Sequence, residues 1–191
     1  MSNITVIGSG NMGQAIAGLA TRGGNTVQVL AHSDTATAVE GDIVVLAVSY
    51  GAHDDVVAER ADQLVGKVVV DISNPLDFQT FDSLVVPADS SATAQLAGKL
   101  PQSKVLKAFN TNFAATLNSG KIGKNTVTVL IAGDDKEAKD SLAEVVEAAG
   151  LVALDLGSLK RARELEAVGF AQLVLAATEQ VGWTAGLAVV R

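Results

Sequence analysis

The sequence predicts an α/β fold, Rossmann-like and doubly wound. Its mostly parallel sheet lacks the outer third strand and that strand's helix, and C-terminal helices complete it. Three observations predict it. A strand, a glycine turn, a helix and a second strand fill residues 4–30. Short apolar strands then alternate with helical stretches, the pattern of βαβ units and a parallel sheet. The connector after the second strand is too short to hold another helix and strand.

The first strand, residues 4–7, stops at Gly8-Ser9-Gly10-Asn11-Met12-Gly13, a G-x-G-x-x-G. Glycines at this spacing carry little weight alone. Between a strand and a helix inside a βαβ unit they form a dinucleotide fingerprint. Gly8 suits the tight turn, Gly10 a close approach to pyrophosphate, and Gly13 close helix–strand packing. The helix start offers unpaired N–H groups and partial positive charge to phosphates. Ser9 adds a hydroxyl, and Asn11 and Met12 add backbone donors. Met12, Ile16, Leu19 and Ala20 share one helical face, which ends at Gly23-Gly24. The second strand follows at residues 26–30.

An NAD-type site places Asp or Glu about 20 residues beyond the glycines, on the ribose hydroxyls. Here the chain reads Ala31-His32-Ser33-Asp34. A 2′-phosphate carries about −1.5 to −2 charge, so His32 and Ser33 in place of a carboxylate favour NADP. The competing reading makes His32 and Ser33 loop residues and gives the ribose to Asp34.

Residues 34–41 are all that separate Ser33 from the next strand, at 42–48. A crossover with its helix needs about a dozen residues or more. That strand therefore pairs on the far side of the first, leaving residues 26–30 at an edge. A helix at 51–64 follows, then a strand at 66–72, an irregular stretch at 78–88, a helix at 89–100 and a strand at 105–109. Strands at 126–132 and 151–155 flank a helix at 135–149, and a last helical region runs from 157 to about 190. Three loop tips, Val48-Ser49-Tyr50, Asn74-Pro75 and Asn110-Thr111-Asn112, stand at strand ends, where open α/β sheets bind ligands.

Composition narrows the classes. The 191 residues suit one compact unit, divided by function into residues 1–112 (dinucleotide-binding) and 113–191 (α/β and helical completion). A net charge of −7 argues against nucleic acid and anionic membrane as partners. The absence of Cys removes thiolate metal sites and Cys nucleophiles, and no metal ligand set is expected. A strand begins almost at once, so no signal peptide is expected, and polar residues interrupt the apolar region 167–190. Together these predict a cytoplasmic protein.

Val6-Ile7-Gly8-Ser9-Gly10-Asn11-Met12-Gly13, Asp71-Ile72-Ser73-Asn74-Pro75-Leu76, Lys107-Ala108-Phe109-Asn110-Thr111 and Asp155-Leu156-Gly157-Ser158-Leu159 occur in that order, with Arg163 and Glu166 after them. Together they resemble the deazaflavin (coenzyme F420)-dependent NADP oxidoreductase family over nearly the whole chain. The resemblance implies NADPH, hydride transfer to a deazaflavin- or flavin-like co-substrate, and a homodimer. It places Ser9 to Met12 on the phosphates and His32 and Ser33 on the 2′-phosphate. Ser49 and Tyr50 fall beside the nicotinamide, and Asn110 to Asn112 where the site closes. His53, Phe113, Leu159 and Arg163 are expected on the substrate side. The chain departs from the family's usual pattern in having no Arg near the 2′-phosphate and Ser49 in place of Pro.

The expected activity is an NADP-dependent oxidoreductase with a small-molecule acceptor and no side chain as catalytic acid. The alternatives are a non-catalytic NADP(H)-sensing module and an imine or carbonyl reductase. The apolar side chains of residues 169–190 exceed what one helical face needs for its own core, which predicts a homodimer through the C-terminal helices.

Overall fold

The computed structural model describes residues 1–31 and 33–190. In chain order the elements are β1 (Asn3–Ile7), α1 (Asn11–Arg22), β2 (Thr26–Leu30), β3 (Ile43–Leu46), α2 (His53–Leu64), β4 (Val68–Asp71), α3 (Ala92–Lys99) and β5 (Lys104–Lys107). Then come α4 (Ala114–Ser119), β6 (Lys121–Ile122), β7 (Asn125–Thr126), β8 (Thr128–Gly133), α5 (Lys136–Ala148), β9 (Val152–Gly157) and α6 (Ala162–Ala177). Seven strands form one sheet in the order β2-β1-β3-β4-β5-β8-β9. The expected edge is there: among the described residues β2 pairs only with β1, and β3 takes the other side of β1.

Side chains alternate across this sheet into two cores. Val45 and Val70 pack with Ile16, Leu19, Leu142 and Val146 on one face. Val44, Leu46 and Val69 pack with Val56, Leu64 and Leu96 on the other. Burial on both faces explains why the inner strands are apolar without interruption.

Side chains, not a helix, hold the short connector between β2 and β3. Gln28 donates to Ala38 O and accepts from Glu40 N, Gln63 accepts from Val39 N, and Thr5 accepts from Gly41 N. Arg60, buried on α2, donates to the carbonyls of Asp34 and Thr37.

Three features depart from the expectation. β8 pairs antiparallel with β5 at two positions only, Leu106–Gly133 and Lys107–Ala132. The approach relies on Gly133, since a Cβ there would lie 2.2 Å from Leu106 Cδ2. The last helical region stops at Ala177 instead of continuing to about 190. Gln180 N donates to Leu175 O and Glu179 N to Ala176 O, with Glu179 at φ 58°, a left-handed helix stop of the Schellman type. Finally, α4 and the β6–β7 hairpin fill a stretch where the sequence predicts no element, each being too short to show periodicity.

Candidate functional site

The glycine turn joins β1 to α1 at the carboxyl edge of the sheet. Gly8 has φ 116°, and a Cβ there would meet Ala47 O at 2.2 Å. A Cβ on Gly13 would meet Gly8 O at 1.9 Å, so both glycines are required by the fold itself. Gly10 differs: a Cβ there meets no atom within 4 Å. Gly10 also stands at the N-cap of α1 and supplies no side-chain acceptor, and the first turn carries no acidic residue. The first amides of α1 are thus left as donors for an outside anion.

Those residues open onto a cleft of about 620 Å³. Gly10, Asn11, Met12 and Gly13 form one wall; Ala47, Val48 and Ser49 follow β3; Ile72, Ser73 and Asn74 follow β4. Phe109, Asn110, Asn112 and Phe113 follow β5, and Phe78, Ala114, Ala115, Leu173 and Trp183 complete the lining. Among the described residues, none that lines the cleft is acidic, basic, a histidine or a tyrosine.

The loops at this edge are locked to one another. Asn74 Nδ2 donates to Asn110 O at 2.9 Å, and Asn110 Nδ2 returns a bond to Asn74 Oδ1 at 2.9 Å. Asn110 also donates to Leu165 O at 2.7 Å, and Asn112 to Thr128 O at 3.0 Å. A Cβ on Gly169 would lie 2.3 Å from Asn74 Oδ1, so α6 packs directly on this pair. Phe109, buried, takes φ 61°, and Asn110 N donates to Ala108 O across it at 2.8 Å. That tight turn is strained for a residue with a Cβ, a cost concentrated at functional sites.

A buried ionic cluster supports the loops from behind. Lys107 Nζ lies 3.0 Å from Asp71 Oδ2 and 3.1 Å from Glu166 Oε1, and donates to Ser73 O at 2.6 Å. Two carboxylates face one ammonium, and N–H donors offset the excess: Ser73 N serves Asp71, while Ala92 N and Thr93 N at the start of α3 serve Glu166. Thr93 Oγ1 donates to Asp71 Oδ2 at 2.7 Å. Burial raises the Asp71 carboxyl, but the Lys107 ammonium, with His53 and Thr93, outweighs it and holds the group well below the usual carboxylate range.

A family model described as NADP oxidoreductase, coenzyme F420-dependent, matches residues 25–75, from β2 through the Asn74-Pro75 loop. The F420-dependent NADP reductase of Methanocaldococcus jannaschii is 32% identical over 137 residues, covering 69% of this chain and 60% of that protein. The chain is similar to the coenzyme F420-dependent NADP oxidoreductase family. Metalloreductase STEAP3 of Rattus norvegicus is 32% identical over 180 residues, 86% of this chain and 36% of that protein. The chain therefore spans about a third to three-fifths of the length of these relatives. The fold is shared with the crystal structure of a candidate F420-dependent NADP-reductase from Arthrobacter sp. FB24, at TM-score 0.87 and 23% identity over 100% of both chains.

The cleft of this chain gathers only part of the expected set. Gly10, Asn11, Met12, Gly13, Val48, Ser49, Asn74, Asn110, Asn112 and Phe113 line it. Gly8 lies beneath the turn, and Ser9 is exposed beside it. Pro75 and Thr111 are buried behind the lining. Tyr50 is turned away, its hydroxyl donating to Gln95 Oε1 at 2.8 Å. His53 is buried under the Tyr50 ring, with Nε2 3.3 Å from Asp71 Oδ1 but without hydrogen-bond alignment. Leu159 is anchored to Asp134, and Arg163 is exposed; neither lines the cleft. At the ribose end His32 lies outside the described residues and Ser33 is exposed. Asp34 accepts from Thr37 N at 3.1 Å, and its hydrogen bonds with Thr37 hold its carboxyl below the ordinary value. Sequence reasoning missed Phe78, Leu173 and Trp183, which come from an irregular loop, the Gly169 face of α6 and the segment after it. Only their isolated aromatic or apolar character could have marked them.

Proposed function

We infer that this protein is an NADP(H)-dependent oxidoreductase that passes a hydride between the nicotinamide and a flat, flavin- or deazaflavin-like acceptor. The observation that carries it is one cleft with phosphate-type donors at one end and an uncharged, aromatic lining at the other. Gly10 has open space where pyrophosphate would approach, and the uncapped amides of Asn11 and Met12 would hold it. Ser49, Asn74, Asn110 and Asn112 would flank the nicotinamide. Ser33 and His32 would take the 2′-phosphate, with Asp34 committed to Thr37.

When bound, NADPH supplies one hydride, a proton with two electrons. The residues' part is to bind, align and exclude water, because stacked rings need positioning. NADPH, a proton and the oxidised ring yield NADP⁺ and the dihydro ring, and water can deliver the proton to a ring nitrogen. Carbonyl or imine reduction benefits from a general acid worth about 10²–10⁴-fold, and none of the described lining residues carries a carboxyl, imidazole, phenol or ammonium group to act as one. Self-association through exposed Leu175, Leu187, Val189 and Val190 belongs to the same proposal. A sedimentation experiment showing a monomer at micromolar concentration would remove that part.

The test is anaerobic oxidation of NADPH, followed at the nicotinamide absorbance, with riboflavin, 5-deazariboflavin and menadione offered separately. Turnover with at least one ring and tighter binding of NADPH than NADH are expected. No NADPH binding by calorimetry, or binding without oxidation by any ring, overturns the reading.

A further inference from the structure

We propose that Trp183, backed by Phe113 and sharing the cleft lining with Phe78, is the stacking wall for the electron acceptor, and that this subsite takes an uncharged fused conjugated ring. This rests on the cleft being the NADP(H) site. Trp183 is the chain's only tryptophan and stands 55% exposed while lining the same cleft as the glycine turn. Its ring centroid is 5.1 Å from that of Phe113, tilted 59°, and Phe113 is only 8% exposed. Phe78, 58% exposed, reaches the cleft from a separate loop, its ring set edge-on to Phe81 at 5.8 Å.

The placement of Trp183 is built into the chain. The helix stop at Glu179 turns the segment back, with Val181 N donating to Leu175 O at 3.2 Å. Three residues beyond Trp183, Gly186 packs on Ile122, where a Cβ would lie 3.0 Å from Cδ1. Trp183 thus sits between two anchors and is held over Phe113. Aromatic area left in water is unfavourable, and two exposed rings from unconnected segments in one cleft lining are matched by a planar ligand. Among the described residues no charged side chain lines the cleft, so the ring itself finds no ion-pair partner there.

The single tryptophan makes the test direct. Riboflavin, 5-deazariboflavin and menadione are titrated into the full chain with and without NADP⁺, reading tryptophan emission, and steady-state constants are measured for Trp183→Ala and Trp183→Phe. Saturable quenching by at least one ring is expected. Trp183→Ala should raise the acceptor KM about three- to tenfold, with the NADPH Kd moved less than twofold and Trp183→Phe recovering most of the loss. Absent quenching, or an unchanged acceptor KM in Trp183→Ala, overturns the proposal. So does an emission shift that follows protein concentration alone, which would assign Trp183 to self-association. If NADPH fails to bind while riboflavin still quenches, the cofactor reading falls and the aromatic wall stands.

Discussion

Lys107 on β5 and Glu166 on α6 meet at 3.1 Å with both side chains essentially excluded from water. The pair ties the last helix to the sheet beneath the cleft, because the same ammonium donates to Ser73 O. Removing one member of a buried ion pair typically costs about 3–5 kcal/mol. Lys107→Met should lower unfolding free energy by that amount in urea titrations. A loss below about 1 kcal/mol would show that the cluster is not held in the folded state.

Asp71 sets an acid limit on stability. Its folded carboxyl titrates below its unfolded value, so the unfolded chain binds more protons in acid and stability rises with pH there. The contribution is complete above the unfolded pKa of about 3.9 and is lost as pH falls toward the lower folded value. Stability should therefore be flat in this respect from about pH 7 to 5 and drop below about pH 4. Asp71→Asn should flatten that acid slope.

The glycine turn separates folding from binding. A Cβ on Gly13 collides with Gly8 O, whereas one on Gly10 meets nothing within 4 Å. Gly13→Ala should cost about 1–3 kcal/mol of stability through overpacking. Gly10→Ala should change stability by less than about 1 kcal/mol and weaken NADPH binding at least tenfold in calorimetry. Equal NADPH affinity for wild type and Gly10→Ala would take Gly10 out of the phosphate site.

Arg60 holds the connector that stands in for the missing crossover. Its guanidinium serves the carbonyls of Asp34 and Thr37, leading into the amides of Val39 and Gly41. Arg60→Met leaves two carbonyls without their charged donor, a loss of about 1–3 kcal/mol locally. Hydrogen exchange should accelerate at residues 37–41 before the inner strands respond. Uniform acceleration across the sheet would contradict a local role.

Tyr50→Phe tests the absence of a catalytic acid. The lost bond to Gln95 should cost about 0.5–1.5 kcal/mol of stability, and turnover should fall less than about tenfold. A thousandfold loss with unchanged NADPH affinity would bring a proton-donating role, and with it imine or carbonyl reduction, to the front.

The sequence by itself determined the βαβ unit, the glycine turn and the edge position of Thr26–Leu30. These rest on local quantities: side-chain periodicity, glycine spacing and a connector of eight residues, 34–41, too short for a crossover. The loop tips followed because parallel strands put all their carboxyl ends on one edge. Tertiary structure alone decided which side chains meet there. Lys107 reaches Asp71 and Glu166 across 36 and 59 residues of sequence, and Trp183 enters the cleft only because α6 stops at Ala177 and the chain turns back. Tyr50, one residue beyond a lining residue, faces Gln95 instead. Periodicity encodes whether a side chain points inward, but its partner is set by how distant elements pack, and no local pattern carries that.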